Sequence, residues 1–305
     1  MEEKKANESL ALIKSFITPT PEQIDTTTVK GFFQDLLYRM KTVDMLGMGA
    51  QLAFFFLLSF FPLIIFLVTL LPYLNLKQQQ IFEFLEVVIP TEIYLMVEDI
   101  LKEILTNQNG GLLSIGILGT VWSASRGVNA LMKTLNRAFD VEGKSGFKNR
   151  LWSLLFTIAL VGIVLLALIF PVFGRHISNL VFSYLGVEQS FEIIWTYILW
   201  VTPLLFVFII LWIMYWVIPN TSKGFKFVTI TPGAVIATIG WLGLTYGFSF
   251  YINNFGNFGM MYGSIGGVII LMLWLYFTGV IIIFGGLVNA SLAKRKEALL
   301  SKRTA

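Results

Sequence analysis

Long apolar stretches without a charged residue recur along this chain of 305 residues. Crossing a hydrocarbon core of ~30 Å takes roughly 20 apolar helical residues, because lipid offers an open backbone no hydrogen-bond partner. Five stretches reach this length. A sixth becomes a span only if its helix continues to Arg126, whose long side chain can reach the interface. The six predicted transmembrane helices cover residues 46–71, 104–126, 152–173, 193–218, 228–252 and 264–288.

The positive charges alternate with these spans. Six lysines and arginines precede the first span, six lie in residues 126–150 from the end of the second span onward, two lie between the fourth and fifth spans, and five follow the sixth. The other three loops carry only Lys77, Lys102 and Arg175. Because cytoplasmic segments are enriched in Lys and Arg, both termini are predicted to be cytoplasmic. The expected fold is an all-α polytopic membrane protein, with a cytoplasmic segment 1–45, a membrane domain 46–290 and a basic cytoplasmic tail 291–305.

Composition supports a membrane protein, since 56% of the residues are hydrophobic and only 13% are charged. Cysteine is absent, which excludes disulfides and thiolate metal sites. The N-terminal stretch has no apolar core of signal-peptide length, so no cleaved leader is expected. Membrane insertion accounts for the net charge of +4 without a nucleic-acid partner. The expected partners are membrane lipids with anionic headgroups, and no cofactor or metal is expected.

Two regions outside the apolar cores have the period of amphipathic helices. The first is the acidic outer loop 81–105, which is predicted to form two such helices around Pro90. The other region is the predicted continuation of the second span beyond Arg126, along the cytoplasmic surface. Its apolar side chains form one stripe, and its three cations lie close together on another face. The apolar stripe is Val128, Leu131, Met132, Leu135 and Phe139, and the cations are Arg126, Lys133 and Arg137.

Two interpretations of this cationic face stay open. In the first, the cations anchor the helix to anionic headgroups, each contributing about 1 kcal/mol. In the second, Arg126 lines a pocket for a lipid phosphate or another anion, together with two amides one helical repeat apart. The headgroup-binding candidates are Arg126, Asn129, Lys133, Asn136 and Arg137.

Within the spans, a few polar, proline and glycine residues are candidates for function or packing. Pro62 removes the usual donor to the carbonyl of Leu58, and Ser59 is expected to compensate for part of that loss. A fixed kink is therefore predicted there. Glycines at GxxxG spacing let helices approach closely, as packing sites or as a sliding surface. The intramembrane polar candidates are Gln51, Ser59, Ser123 and Asn289, and the glycines are Gly243, Gly247, Gly263 and Gly267.

Four ordered motifs resemble the YihY/BrkB family of bacterial inner-membrane proteins. They are "GAQLAFFFLLSFFPLIIFL", "GLLSIGILGTVWSASRGVNALMKTLNRAF", "PNTSKGFKFVTITPGAVIATIGW" and "FGNFGMMYGSIGGVIILMLWLYFTGVIIIFGGLVNASL". The resemblance implies six helices with cytoplasmic ends, an inherited ribonuclease BN label, a link to serum resistance and proposals of transport, including lipid movement. Leu287 and Ser291 stand where that family commonly has acidic residues, and Phe139 stands where it usually has Tyr.

The residues argue against a nuclease and do not indicate an enzyme. Phosphodiester hydrolysis needs metal-bound carboxylates and imidazoles, or an acid and base pair. The one histidine, His176, falls on a predicted outer loop, and no metal-binding spacing occurs. No charged residue interrupts the five strong spans, which suits an apolar substrate. We expect a transporter or flippase-like protein of the bacterial inner membrane for a lipid or other amphipathic envelope molecule. The alternative is a noncatalytic envelope scaffold.

The predicted topology can be tested by cysteine labelling, because the chain has no cysteine of its own. Single cysteines at Ser9, Gly143 and Ser301 should resist a membrane-impermeant thiol reagent in intact cells, whereas one at Gln79 should react. All four should react once the cells are opened. Labelling at Gly143 but not at Gln79 in intact cells would contradict the orientation.

Overall fold

The computed structural model describes residues 24–70, 110–142, 146–163, 166, 188–219, 227–255 and 265–304, and all regular structure in these ranges is helical. This confirms the predicted all-α class. Seven helices follow one another along the chain. They are α1 Val29–Thr42, α2 Met45–Leu70, α3 Gly110–Ala138, α4 146–163, α5 Glu188–Val217, α6 Phe227–Phe255 and α7 Gly266–Thr304.

Helices α2 to α7 coincide with the six predicted spans. Within the described residues, three segments are long and apolar enough to cross a membrane: Met45–Phe66, Thr229–Ile252 and Gly266–Lys302. Helix α5 adds the shorter apolar segment Val201–Val217. The six-span topology and the orientation of the termini stay predictions. The amphipathic helices expected in loop 81–105 and His176 lie outside the described residues.

Helix α1 joins α2 through a sharp turn that both helix ends stabilise. The hydroxyl of Thr28 accepts a hydrogen bond from the backbone N–H of Gly31 at 2.9 Å and so caps the start of α1. Between the helices, Asp44 takes a left-handed backbone conformation with φ of 52°. Its carboxylate accepts from the N–H of Gly47 at 3.3 Å, in the first turn of α2. The chain can therefore reverse within a few residues.

The last helix, α7, is central to the packing, because it contacts α1, α2, α3, α5 and α6. It contributes to both apolar cores. The larger core joins it to α3 and α5 through side chains such as Leu135, Tyr215 and Leu287. The smaller core joins it to α2 and α6, with Leu271 fully buried there. Helix α7 also passes the predicted domain boundary at residue 290 without interruption, so the basic tail continues the last predicted span.

Helices α2 and α3 pack closely along a row of small residues on α3. A Cβ at Gly116 would lie 2.8 Å from the backbone nitrogen of Phe66. One at Gly119 would lie 3.2 Å from Cβ of Pro62, and one at Gly127 would be equally close to Phe55. Rising numbers on α3 meet falling numbers on α2, so the pair is antiparallel. The weakly hydrophobic second span thus gains contact from backbone proximity, which small residues permit.

The GxxxG packing prediction for α6 stays a prediction, because the described residues place nothing against these glycines. A Cβ at Gly243 or Gly247 would meet no described atom within 4 Å, and both residues are exposed. Helix α6 approaches α7 closely nearer its own N-terminus, more than two turns before Gly243. There, a Cβ on Gly285 of α7 would be 2.6 Å from the carbonyl oxygen of Gly233. The spacing could not reveal which face of α6 meets α7. Gly263 lies outside the described residues, and Gly267 is half-buried in the first turn of α7.

Pro62 lies inside α2, which continues on both sides of it. Its ring faces Gly119 of α3, so it contributes to helix packing. The expected role of Ser59 is corrected. Its hydroxyl donates to the carbonyl of Phe56 at 2.9 Å and not to that of Leu58, because a serine side chain on a helix reaches the preceding turn.

Gly116 and Gly243 provide a matched pair of substitutions. Gly243→Ala should leave stability unchanged or raise it by up to about 1 kcal/mol, because alanine is the better helix former and the position is open. Gly116→Ala should lower it by about 1–3 kcal/mol, because the methyl group forces α2 and α3 apart. Thermal unfolding in detergent measures both changes. Shifts of the same sign and size would contradict the described α2–α3 contact.

Candidate functional site

The C-terminal half of α3 has one buried face and one cationic face, as the sequence predicts. Leu135 is fully buried, and Val128, Leu131 and Met132 are at most 6% exposed. The cations lie on the exposed side, one helical turn or two turns apart. These exposed residues are Arg126, Lys133 and Arg137.

Arg126 is held at the end of the apolar part of α3 by an aromatic neighbour. Its guanidinium carbon lies 5.2 Å from the ring centroid of Trp122, a cation–π contact one helical turn away. Both side chains are exposed on the same face of α3. Tryptophan and arginine prefer the membrane interface, where an apolar body and a polar end are both accommodated. The pair therefore places the charge of Arg126 at headgroup depth.

A second arginine, which the sequence analysis did not select, lies near Arg126. Arg150 is in the first turns of α4, just before the predicted third span. Burial lowers the pKa of Arg150, and repulsion by the positive charge of Arg126 lowers it further. The start of α4 is fixed on α3 because the amide Nδ2 of Asn149 donates to Oδ1 of Asn129 at 2.5 Å. The two helices thus hold two like charges together.

The predicted headgroup residues do not all converge on Arg126. Asn129 bonds to Asn149 across the α3–α4 contact. Asn136 is 5% exposed and lies toward the protein interior, so it cannot share a surface pocket with Arg126. The amides and the cations occupy different faces of one helix, which the spacing of Asn129 and Asn136 did not separate. Among the described residues, Arg150 is the side chain that accompanies Arg126.

Three of the four intramembrane polar candidates are buried. Ser59 and Ser123 are at most 8% exposed and donate to carbonyls of their own helices. Asn289 is fully buried, and its Oδ1 accepts from the N–H of Gly233 at 2.8 Å, which ties α7 to α6. Gln51 is exposed on α2. It is therefore not part of the interior.

A network of ion pairs around the buried Asp35 and Arg39 joins α1, the end of α3 and α7, and the sequence analysis missed it. Asp35 accepts from Nε of Arg39 at 2.7 Å and from Nζ of Lys294 at 2.9 Å, and its side chain is 1% exposed. Arg39 also binds the carboxylate of Asp140 at 2.9 Å and the carbonyl of Ala138. The i, i+4 spacing of Asp35 and Arg39 was a local signal for the first pair. The partners from α3 and α7 lie too far along the chain to be found that way.

The ionisation of Asp35 depends on these partners. Burial by itself raises the pKa of a carboxyl group, but the hydrogen bond from Lys294 and the positive charge of Arg39 outweigh it. The pKa of Asp35 is therefore below its ordinary value. A second ion pair, between Lys302 and Asp25 at 3.6 Å, is exposed on both sides. Asp35 is thus the residue through which α1 is fixed to α7.

The end of α3 is shaped to supply one of these partners. Asp140 has a left-handed φ of 54°, and the N–H of Val141 reaches back to the carbonyl of Asn136 at 3.0 Å. This is the hydrogen-bond pattern of a Schellman motif, which usually places glycine at the left-handed position. An aspartate there directs a carboxylate toward Arg39. No group of three or more His, Asp or Glu side chains that could hold a metal ion occurs in the described ranges.

Comparison with known proteins places these features in a family. A family model described as "Virulence factor BrkB" matches residues 36–305. The chain belongs to the BrkB family. It is 43% identical over 267 residues to the ribonuclease-like protein YfkH of Bacillus subtilis (strain 168), covering 87% of this chain and 96% of that protein. No solved structure matches it.

More distant relatives of this BrkB-family chain are named as membrane proteins. It is 34% identical over 85 residues to a UPF0761 membrane protein of Alteromonas mediterranea, covering 28% of each chain. It is 24% identical over 184 residues to a UPF0761 membrane protein of Stenotrophomonas maltophilia (strain K279a), covering 60% of this chain and 42% of that one. The predicted family resemblance and the membrane character are therefore confirmed.

Removing the charge of Asp35 tests the buried network of this BrkB-family protein. Asp35→Asn should destabilise the fold by about 1.5–3 kcal/mol at pH 7, because it removes the charge that the buried Arg39 and the part-exposed Lys294 share, while Arg39 keeps Asp140 as a partner. Asp25→Asn is the control and should change little, because its ion pair is exposed. Thermal unfolding in detergent measures both. Equal effects would show that the Asp35 network does not hold α1 to α7.

The stability that Asp35 contributes to the fold depends on pH. Because the folded pKa of Asp35 is below its unfolded value of about 3.9, its contribution to stability is fully present above that value. It is lost as the pH falls through the folded pKa. The difference in stability between the unaltered protein and Asp35→Asn should therefore be constant near neutral pH and should shrink below about pH 4.

Proposed function

We propose that this protein is a transporter or flippase-like protein of the bacterial inner membrane that moves a lipid or another amphipathic envelope molecule with an anionic headgroup. The observation that carries the proposal is the arginine pair. The guanidinium of Arg126 lies over the exposed ring of Trp122, where the apolar part of α3 ends, and its positive charge acts on Arg150 at the start of α4. The proposed substrate binds these two arginines through a phosphate.

The charge balance at the arginine pair supports an anionic ligand. No described carboxylate pairs with Arg126 or Arg150, whereas Arg39 binds two, from Asp35 and Asp140. Two adjacent guanidinium groups repel each other, and an anion between them would relieve that repulsion. Phosphate suits the planar arrangement of N–H donors on arginine, which can bind it through two parallel hydrogen bonds.

The apolar interior of the protein supports a substrate with a large hydrophobic part. The predicted spans within α2, α5, α6 and α7 contain no Asp, Glu, Lys or Arg. Ion-coupled carriers often place such a charged group at mid-membrane, where it binds the coupling ion. A polar solute would find few partners on these helices. An acyl chain needs none, and the lipid-facing surface can accommodate it while the phosphate stays with the arginines.

The alternative, a noncatalytic envelope scaffold, has one observation in its favour. Buried ion pairs fix α1 to α7, and α7 contacts five other helices, which favours a rigid body. The proposal draws nothing from the ribonuclease-like name of YfkH. The only histidine of this chain falls on a predicted outer loop, away from cytoplasmic RNA. We infer no enzymatic activity.

Conservative substitutions separate phosphate binding from simple anchoring. Arg126→Lys and Arg150→Lys keep the charge but lose the planar donor group. If the pair binds a phosphate, each variant should retain no more than about one tenth of the phosphatidylglycerol that the unaltered protein retains. This corresponds to a loss of ~1.4 kcal/mol in binding free energy. Native mass spectrometry of protein purified with that lipid measures retention.

The exposed cations farther along α3 are the control. Lys133→Arg and Arg137→Lys should retain as much phosphatidylglycerol as the unaltered protein, because those residues only face the surface. Translocation of a fluorescent phosphatidylglycerol in proteoliposomes then tests transport itself. Equal and mild loss of retention at all four positions would leave only membrane anchoring. Normal retention without any protein-dependent translocation would favour the scaffold.

A further inference from the structure

Three buried donors at the contact of α6 and α7 have no hydrogen-bond partner among the described residues. They are Nε1 of Trp274, Oγ1 of Thr278 and Oγ1 of Thr245. The side chains of Trp274 and Thr278 are only 8% and 9% exposed. Since more than nine in ten buried polar groups in proteins are paired, three unpaired donors in one helix contact are unusual.

The register of the two helices brings these donors to one level. A Cβ at Gly240 would lie 3.3 Å from Cγ2 of Ile281, and the ring centroids of Trp241 and Trp274 are 6.1 Å apart. Rising numbers on α6 therefore meet falling numbers on α7. Counted from the Gly240–Ile281 contact, Thr245 is at a level between Trp274 and Thr278.

Thr278 completes the group, because it lies one turn from Trp274 on the α6-facing side of α7. This level is near the middle of the predicted spans 228–252 and 264–288. The surrounding side chains are apolar and include Phe248, Leu271 and Leu275. Bulk water and lipid headgroups are therefore distant, and the donors cannot be satisfied by solvent at the surface.

Other buried threonines of this protein satisfy their hydroxyls locally. Thr238, two turns before Thr245 on α6, donates to the carbonyl of Ala234 at 2.8 Å. Thr120 on α3 donates to the carbonyl of Gly116 at 2.7 Å. The helix backbone thus offers a buried threonine a ready acceptor, and Thr245 and Thr278 do not use it. Their oxygens, with the indole N–H, are left for a partner from outside the two helices.

We propose that Trp274, Thr278 and Thr245 form a mid-membrane binding site for one uncharged acceptor oxygen. An indole N–H can only donate, and each hydroxyl can donate, so the ligand must accept. No charged side chain lies in the predicted spans of α6 and α7, so the ligand carries no charge at this point. Two sources have this chemistry: the ester carbonyl of a lipid and a water molecule. The ester source rests on the proposed lipid function, and the water source does not.

Valine substitution tests whether an acceptor is bound. Valine has the shape of threonine without the hydroxyl. If Thr278 binds an acceptor, Thr278→Val should lower Tm by about 2–4 °C, whereas removing an unpaired buried hydroxyl should leave Tm unchanged or raise it. Thr238→Val is the matched control, because it removes a hydroxyl that is paired within α6. The site is overturned if the Tm of Thr278→Val equals or exceeds that of the unaltered protein both in detergent without lipid and with each of the two lipids described next.

The lipid used in the thermal measurement distinguishes the two sources. Tm is measured in detergent without lipid, with diacyl phosphatidylglycerol, and with its dialkyl ether analogue, which lacks the ester carbonyl. If water occupies the site, Thr278→Val should lower Tm by the same amount in all three conditions. If an ester carbonyl occupies it, the loss should appear only with the diacyl lipid.

The indole N–H of Trp274 provides a second measurement, which is made on the protein with all three donors of the site intact. Its NMR signal in the ¹⁵N-tryptophan-labelled protein is assigned as the one that Trp274→Phe removes. A downfield shift typical of a hydrogen-bonded indole supports the site, and the position of a free indole N–H overturns it. This signal decides alone if Thr278→Val does not fold. Arg126→Lys should not move it in detergent without lipid, so failure of the headgroup site is separable from failure of this one.

Discussion

Close approach of helix backbones at small residues is the constraint on which the rest of this fold depends. Lipid is as apolar as the helices, so no hydrophobic effect drives them together, and packing contact must do so. Gly116 and Gly127 let α3 meet α2 where a methyl group would already be too close. Gly233 and Gly285 do the same for α6 and α7. Helix α7 contacts α1, α2, α3, α5 and α6, and α4 is fixed on α3.

Polar groups inside the predicted spans are arranged within that close packing. Most hydroxyls donate to a carbonyl one turn earlier in their own helix, which costs no contact between helices. Two side chains instead bond across helices: Asn289 accepts from Gly233, and Tyr215 donates to the carbonyl of Ile282 at 2.6 Å. Such bonds fix the orientation of α7 against its neighbours. The donors near Trp274 have no partner among the described residues, and for that reason they point to a ligand.

The cationic end of the molecule divides its charges between two roles. Arg39 and Lys294 both form ion pairs with the buried Asp35, and these pairs fix α1 to α7. Arg126 and Arg150 meet no carboxylate among the described residues, and the positive charge of Arg126 acts on Arg150.

Sequence alone determined most elements of this protein. Charge-free runs of about 20 residues and the 3.6-residue period of α3 are local properties, so they predicted α2 to α7 and the exposed position of Arg126, Lys133 and Arg137. They did not predict α1, which lies in the segment 1–45. The motif order predicted the BrkB family. What the sequence could not anticipate is which residues meet. Gly243 and Gly247 have the spacing of a packing motif, but no described atom lies within 4 Å of a Cβ placed there, and Asn136 points inward.

Only the tertiary structure decided the sites, because each is made of residues far apart in the chain. Asp35 and Lys294 are separated by most of the sequence, and Arg150 reaches Arg126 only through the way α4 returns along α3. Spacing along one helix fixes the angle of a side chain about that helix. It does not fix the rotation of the helix against its neighbours, and that rotation determines which charges pair and which donors remain open.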